Sequence, residues 1–175
     1  MNTRPTALIC GGAASVFEDI EAAKKLFQPS AIFAINNILA DIPDVDHFIS
    51  MHPMKMPGWL KKRRENGFLV DPKDYWTAKD KTPPKGFEFK TIPNTRGGSG
   101  MLAVFVARYL GYKSVLAGIP MTVVGAHYHN TRPWAECLHY RIVWERNESI
   151  RHDVRSMSGW TREWLGFPDE EWLAI

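Results

Sequence analysis

Ala7-Leu8-Ile9-Cys10-Gly11-Gly12 is the stretch on which the fold turns, an apolar run closed by two glycines. Consecutive apolar residues with no polar face fit a strand buried on both sides, and the glycines mark its meeting with a tight turn. Ser15 follows, with Glu18 three positions on, the capping-box spacing of a helix start. Val16, Ile20, Ala23 and Phe27 recur at helical intervals, and Pro29 ends the pattern. Lys24 and Lys25 fall in the last turn, where cations suit the helix dipole. A second apolar run, Ala31 to Ile35, stops at Asn36-Asn37. Strand, helix and strand in this order make a βαβ unit, which predicts parallel pairing through a right-handed crossover.

Further along, Ile38 to Asp41 is helix-like and His47 to Ser50 predicts a third strand, ending before His52-Pro53. Trp59 to Glu65 reads as a surface helix whose solvated face is Lys61-Lys62-Arg63-Arg64. Residues Asp71 to Pro93 are rich in Lys, Pro and Asp, which predicts a long irregular excursion with one strand near Phe87 to Ile92. Asn94-Thr95-Arg96-Gly97-Gly98-Ser99-Gly100 then opens a helix, with Ser99 as its N-cap, an apolar face of Leu102, Phe105, Val106 and Tyr109, and Gly111 as its stop. Ser114 to Ala117 is another buried strand that runs into Gly118-Ile119-Pro120. A loop carrying His127, His129 and Arg132 leads to Pro133, which opens a long helix running past Arg146. A short helix from Gly159 to Leu165 and an anchor at Trp172 complete the chain.

This alternation predicts one α/β domain over residues 1–175: a three-layer Rossmann-like, mostly parallel sheet with helices on both faces. Residues 6–121 form its core, and residues 122–175 a lid-like loop and C-terminal helices. A chain of 175 residues, 45% of them hydrophobic, can bury such a core without disulfides. Cys10 and Cys137 lie far apart in apolar stretches and read as buried free thiols. The net charge of +3 tolerates an anionic ligand but gives no signal for nucleic acid. The polar lead-in Met1 to Thr6 and the short run after it do not make a signal peptide, and no apolar stretch is long enough to span a bilayer. Cytoplasmic residence is the expectation.

In open parallel sheets ligands bind beyond the carboxyl ends of the strands, where strand order reverses. Four strands here end in Gly11-Gly12, Asn36-Asn37, His52-Pro53 and Gly118, and the Gly97-Gly98-Ser99-Gly100 helix start is expected at the same edge. Backbone amides at two glycine-rich helix starts suit a phosphate. The alternative is a pair of tight turns without a ligand. There is no Gly-x-x-x-x-Gly-Lys-Ser/Thr P-loop. The first turn also lacks the third glycine of a dinucleotide fingerprint, and Asn36-Asn37 stands where such a domain carries an acid for ribose. These side-chain amides suit a base or sugar instead. Gly11, Gly12, Ser15, Asn36, Asn37, Arg96, Gly98, Ser99, Gly100 and Arg132 are therefore the candidate nucleotide- and phosphate-binding residues. His127-x-His129 lacks a third metal ligand at a diagnostic spacing, so no metal site and no certain cofactor is assigned. Trp134, Tyr140, Trp144, Trp160, Trp164 and Trp172 read as a second core, or as the contact of a homo-oligomer through this Trp-rich segment, rather than as a base-stacking platform.

The ordered set Gly11-Gly12-x-x-Ser15, Asn36, Ser99-Gly100, Leu110-Gly111-Tyr112-Lys113 and Gly118-Ile119 resembles two families with a common Rossmann-like core. These are the bacterial sialyltransferases of the alpha-2,3/2,8 type and the 6-hydroxymethylpterin pyrophosphokinase (MptE-like) family; the likeness covers roughly residues 6 to 121 with a gap in the middle. The resemblance implies a nucleotide at this rim, CMP-like or other, and a histidine acting as base from the segment holding His127, His129 and His139. The sequence departs from these patterns: Pro120 stands where the Gly-Ile-Asp element carries its acid, His52 precedes Pro53 where the MptE-like pattern has Asp-Pro, and Gly12-Ala13-Ala14 replaces the Gly-Pro element. Two functions follow as expectations: a transferase acting on a nucleotide-activated sugar, or a nucleotide-binding or structural module that keeps only the fold.

Overall fold

The computed structural model describes residues 4–175; the beginning of the polar lead-in, Met1 to Thr3, lies outside them. Strand β1 (Thr6–Cys10) is buried along its whole length and pairs in parallel with a strand on each side. On one side the chain steps outward after helix α1 (Val16–Leu26) through β2 (Ala31–Ile35), β3 (His47–Ile49), helix α2 (Met56–Glu65), β4 (Asp74–Ala78) and β5 (Lys90–Ile92). Helix α3 (Gly98–Tyr109) then carries it back over the sheet to β6 (Lys113–Ala117), which pairs with the free side of β1. After helix α4 (Cys137–Glu145), β7 (Val154–Ser156) joins beyond β6, and helices α5 (Gly159–Leu165) and α6 (Glu170–Ala174) follow. The order is β5-β4-β3-β2-β1-β6-β7, all parallel, a Rossmann-like α/β sheet with helices on both faces. Because the stepping direction reverses between β1 and β6, their carboxyl ends frame the switch-point crevice.

The pleat sorts the core into two layers. Ala7, Ile9, Phe33, Ile49 and Trp76 face α3 and Trp144, while Leu8, Cys10, Ala34, Phe48 and Val115 face α1, α2 and Trp172. Each fully buried Leu, Ile or Phe contributes about 1.5–3 kcal/mol. Trp144 and Trp172 are thus core residues of this one chain, and Trp160 stacks on Trp164. Cys10 and Cys137 are free and buried, and burial pushes the Cys10 thiol up to about 12, so it stays protonated. Among the described residues no helix is long and apolar enough to cross a membrane.

Several elements differ from the sequence reading. The supposed irregular stretch from Asp71 contains β4, and the strand expected from Phe87 begins only at Lys90. β7 was not expected, and it carries the sheet past residue 121. Helix α4 starts at Cys137 instead of Pro133 and stops at Glu145. In α3, Tyr109 is exposed and Phe105 only partly buried, whereas Met101, Leu102, Ala103, Val104, Val106 and Ala107 are all enclosed. This helix is covered on two sides, so it has no single apolar stripe.

Arg63 corrects the solvated-face reading of the basic run in α2. It is 1% exposed, and its guanidinium donates to the carbonyls of Leu39, Ile42 and Val70 at 2.8, 2.6 and 3.0 Å and to that of Pro43. It thereby braces the 3-10 turn Asn36–Ala40 that follows β2. Ser15 precedes α1 as its N-cap residue, but the expected capping bonds are absent, and the expected cap of α3 is displaced. Ser15 already has helical backbone angles and makes no cap bond; its hydroxyl donates to Asp19 Oδ2 at 3.0 Å. The cap of α3 is Gly97, with Ser99 inside the helix.

Candidate functional site

The ends of β1 and β6 touch at Gly11. A Cβ there would lie 2.5 Å from both the Gly118 carbonyl oxygen and Ile119 Cγ1, so only glycine lets the two strand ends close. Three amides of this turn are committed to the protein itself: Gly11 donates to Ala117 O at 2.8 Å, Ala13 to Gly118 O at 3.1 Å and Ala14 to Gly125 O at 2.8 Å. Across residues 11–16 only the Gly12 and Ser15 amides find no acceptor among the described residues. The Gly118 amide is taken as well, by the buried Asp19, whose Oδ2 accepts from it at 2.8 Å and from Ser158 Oγ at 2.6 Å. Asp19 is the acid that sequence reading passed over; its only signal was the i, i+4 spacing from Ser15.

The segment after β6 folds over this first glycine turn. The Tyr128 amide donates to Gly12 O at 2.9 Å, and its hydroxyl donates to Asp41 Oδ2. Burial and the Asp41 carboxylate hold the Tyr128 phenol well above its usual range. Asn37 Nδ2 lies 3.1 Å from His129 Nδ1 and 3.5 Å from the Tyr128 hydroxyl, so Asn37 tethers the covering segment.

The second glycine turn is open. Gly98, Ser99 and Gly100 form the first turn of α3, where amides have no intrahelical acceptor, and none of the three finds another among the described residues. Gly98 has φ +74°, a backbone state that an L side chain adopts only under strain. Ser99 Oγ accepts from the Met51 amide at 3.0 Å and lies 3.3 Å from Asn36 Oδ1, which also accepts from Ser50 Oγ at 2.7 Å. Asn36 therefore ties the ends of β2 and β3 to the start of α3, and its Nδ2 donates to no partner among the described residues.

Both glycine turns line one cavity of about 670 Å³, within the usual range for small-molecule sites. It contains Gly11, Gly12, Asn36, Asn37, Arg96, Gly98, Ser99, Gly100 and His127 of the expected residues. The non-glycine residues with left-handed backbone among the described ones are Asn36 (φ 57°), Arg96 (φ 57°) and Met121 (φ 52°), and all of them line it. Such strain collects at functional sites. Arg96 and Lys81 set two cations against one carboxylate, Glu136. Burial lowers the His127 pKa, with help from His129 and Arg132, and burial with Lys55 and Lys81 lowers that of His52, so both line the cavity as neutral imidazoles at pH 7.

Other expected residues lie elsewhere. Ser15 belongs to the Asp19–Ser158 cluster behind the first turn. His139 and Arg132 are exposed outside the cavity, and His129 reaches it only through Asn37. The late start of α4 explains His139, because residues 133 to 136 stay irregular and turn Trp134, Glu136 and Tyr140 toward the cavity instead. Those three and Lys81 were not foreseen as site residues. The aromatic pair carries a core-like pattern, and Lys81 sits in the stretch without periodicity. Among the described residues no three His, Cys, Asp or Glu side chains converge as a metal site. No family model, curated protein or solved structure matches the chain.

Proposed function

We propose that this chain binds a nucleotide or nucleotide-sugar across the carboxyl rim of its sheet, with a phosphate seated on the Gly98, Ser99 and Gly100 amides. One observation carries this reading: the start of a 12-residue helix, whose first amides find no acceptor among the described residues, opens into a large cavity that Arg96 and Lys81 also line, Arg96 in no ion pair among the described residues and Lys81 3.7 Å from Asp80. The helix end supplies roughly half a positive charge and three aligned donors. Gly11 and Gly12 then form the close-fitting wall rather than the cradle, and the free Nδ2 of Asn36 is placed to donate to a base or ribose oxygen.

Transfer of the sugar is the catalytic form of the same proposal. His127, which lines the cavity, is its base: burial keeps the imidazole unprotonated at pH 7, ready to accept a proton from an acceptor hydroxyl. The likeness of the motif order to the sialyltransferase and pterin pyrophosphokinase families supports the same rim. Pro120 and His52, in place of acids, favour the second form, a module that binds without turnover. Thermal unfolding with CMP and UMP at about 1 mM tests binding, because a ligand at 100 times its Kd adds about 2.7 kcal/mol. A rise in Tm that is lost in Arg96→Ala supports the site, and no rise with either nucleotide refutes it. Turnover that disappears in His127→Ala, and that falls only on the acid side of the roughly 6.5 at which an ordinary imidazole protonates, selects the transferase.

A further inference from the structure

The cavity has a second end with a different chemistry. Trp134 and Tyr140 meet there with ring centroids 5.5 Å apart and planes inclined by 34°. The pair adjoins the open helix start directly: a Cβ built on Gly98 would lie 3.5 Å from Tyr140 Cε1, an ordinary contact. A ligand seated at Gly98 therefore has the Tyr140 ring as an immediate neighbour. Between them in sequence stands Glu136, among the described residues the only carboxylate lining the cavity. Although Glu136 is the N-cap residue of α4, its side chain makes no cap bond, and among the described residues it enters no ion pair. It is an unengaged acceptor in a cavity wall that also holds the two rings.

We infer that Glu136 makes this end a subsite for an uncharged, hydroxyl-bearing sugar and discriminates against sugars that carry a carboxylate. The inference rests on the anion-binding reading of α3. A carboxylate accepts but never donates, so it rewards hydroxyl donors and repels a second carboxylate. The inclined rings offer an apolar face for the C–H side of a sugar ring, and in contact with each other they leave no slot in which a flat base is sandwiched. Arg96 directly precedes the Gly97 cap of α3, so a phosphate on the helix start engages it, and a carboxylate on the sugar is left to meet Glu136.

Glucose 1-phosphate and glucuronic acid 1-phosphate differ only in the oxidation of C6 and serve as the probes, with inorganic phosphate as control, in calorimetric titrations of the full chain. Glucose 1-phosphate is expected to bind at least about fivefold more tightly than glucuronic acid 1-phosphate. Glu136→Gln, which keeps shape and removes charge at an exposed position, is expected to bring the two to equal affinity. Equal binding of both by the unaltered chain, or a preference that survives in Glu136→Gln, overturns the assignment while leaving the phosphate site intact. No binding of any probe, inorganic phosphate included, overturns the phosphate site and this subsite together.

Discussion

The two glycine turns at the rim look alike in sequence and are used in opposite ways. Gly11-Gly12 is a joint: Gly11 lets β1 and β6 touch, the amides of Gly11, Ala13 and Ala14 are bonded to neighbouring carbonyls, and Tyr128 covers Gly12. Gly97-Gly98 is an opening: its helix start keeps three amides free and faces a cavity with two cations. The difference lies in what comes next along the chain. After Gly12 the first helix places Asp19 where it captures the Gly118 amide of the adjoining strand end, so the protein's own carboxylate already stands behind that turn. After Gly98 the helix carries no acid in its first turn. A glycine turn before a helix is thus an anion site only when no internal acceptor has claimed it.

Substitutions at the two turns are expected to separate stability from binding. Gly11→Ala has the largest effect, since its methyl group meets backbone at 2.5 Å; overpacking of this kind costs about 1–3 kcal/mol or more, read as a fall in urea midpoint. Asp19→Ala follows, leaving the buried Gly118 amide unpaired at a cost of about 1–3 kcal/mol, with phosphate affinity retained in the folded fraction. Arg96→Ala inverts the pattern: phosphate affinity falls about tenfold, while stability moves by less than about 0.5 kcal/mol because the side chain is exposed. Ser15→Ala is the smallest change, under about 1 kcal/mol in stability with no loss of phosphate binding, which sets it apart from any role as a phosphate ligand. Loss of phosphate binding in Ser15→Ala with none in Arg96→Ala would exchange the roles of the two turns.

Much of the sheet was legible because its central strands are apolar runs that end in small or polar residues, as at Ala7 to Gly12 and Ala31 to Asn36. β4 and β7 escaped for a physical reason. Asp74-Tyr75-Trp76-Thr77-Ala78 is too mixed to stand out from the polar text around it, and Val154-Arg155-Ser156 is only three residues long. Arg63 could have been found, since it lies at i, i+4, i+7 with Met56 and Leu60, the two apolar residues of the buried face. At the site, glycine and asparagine turns declared themselves through backbone chemistry. Trp134, Glu136 and Tyr140 did not, because their meeting depends on an irregular turn before α4 that has no sequence signature.

Backbone amide resonances followed by NMR during a titration with inorganic phosphate and then with UMP test the division between the two turns most directly. The expected result is that Gly98, Ser99 and Gly100 shift first and furthest while Ala13 and Ala14 stay in place. Largest shifts at Gly12, Ala13 and Ala14, or a saturating titration that leaves Gly98 to Gly100 unmoved, would contradict it.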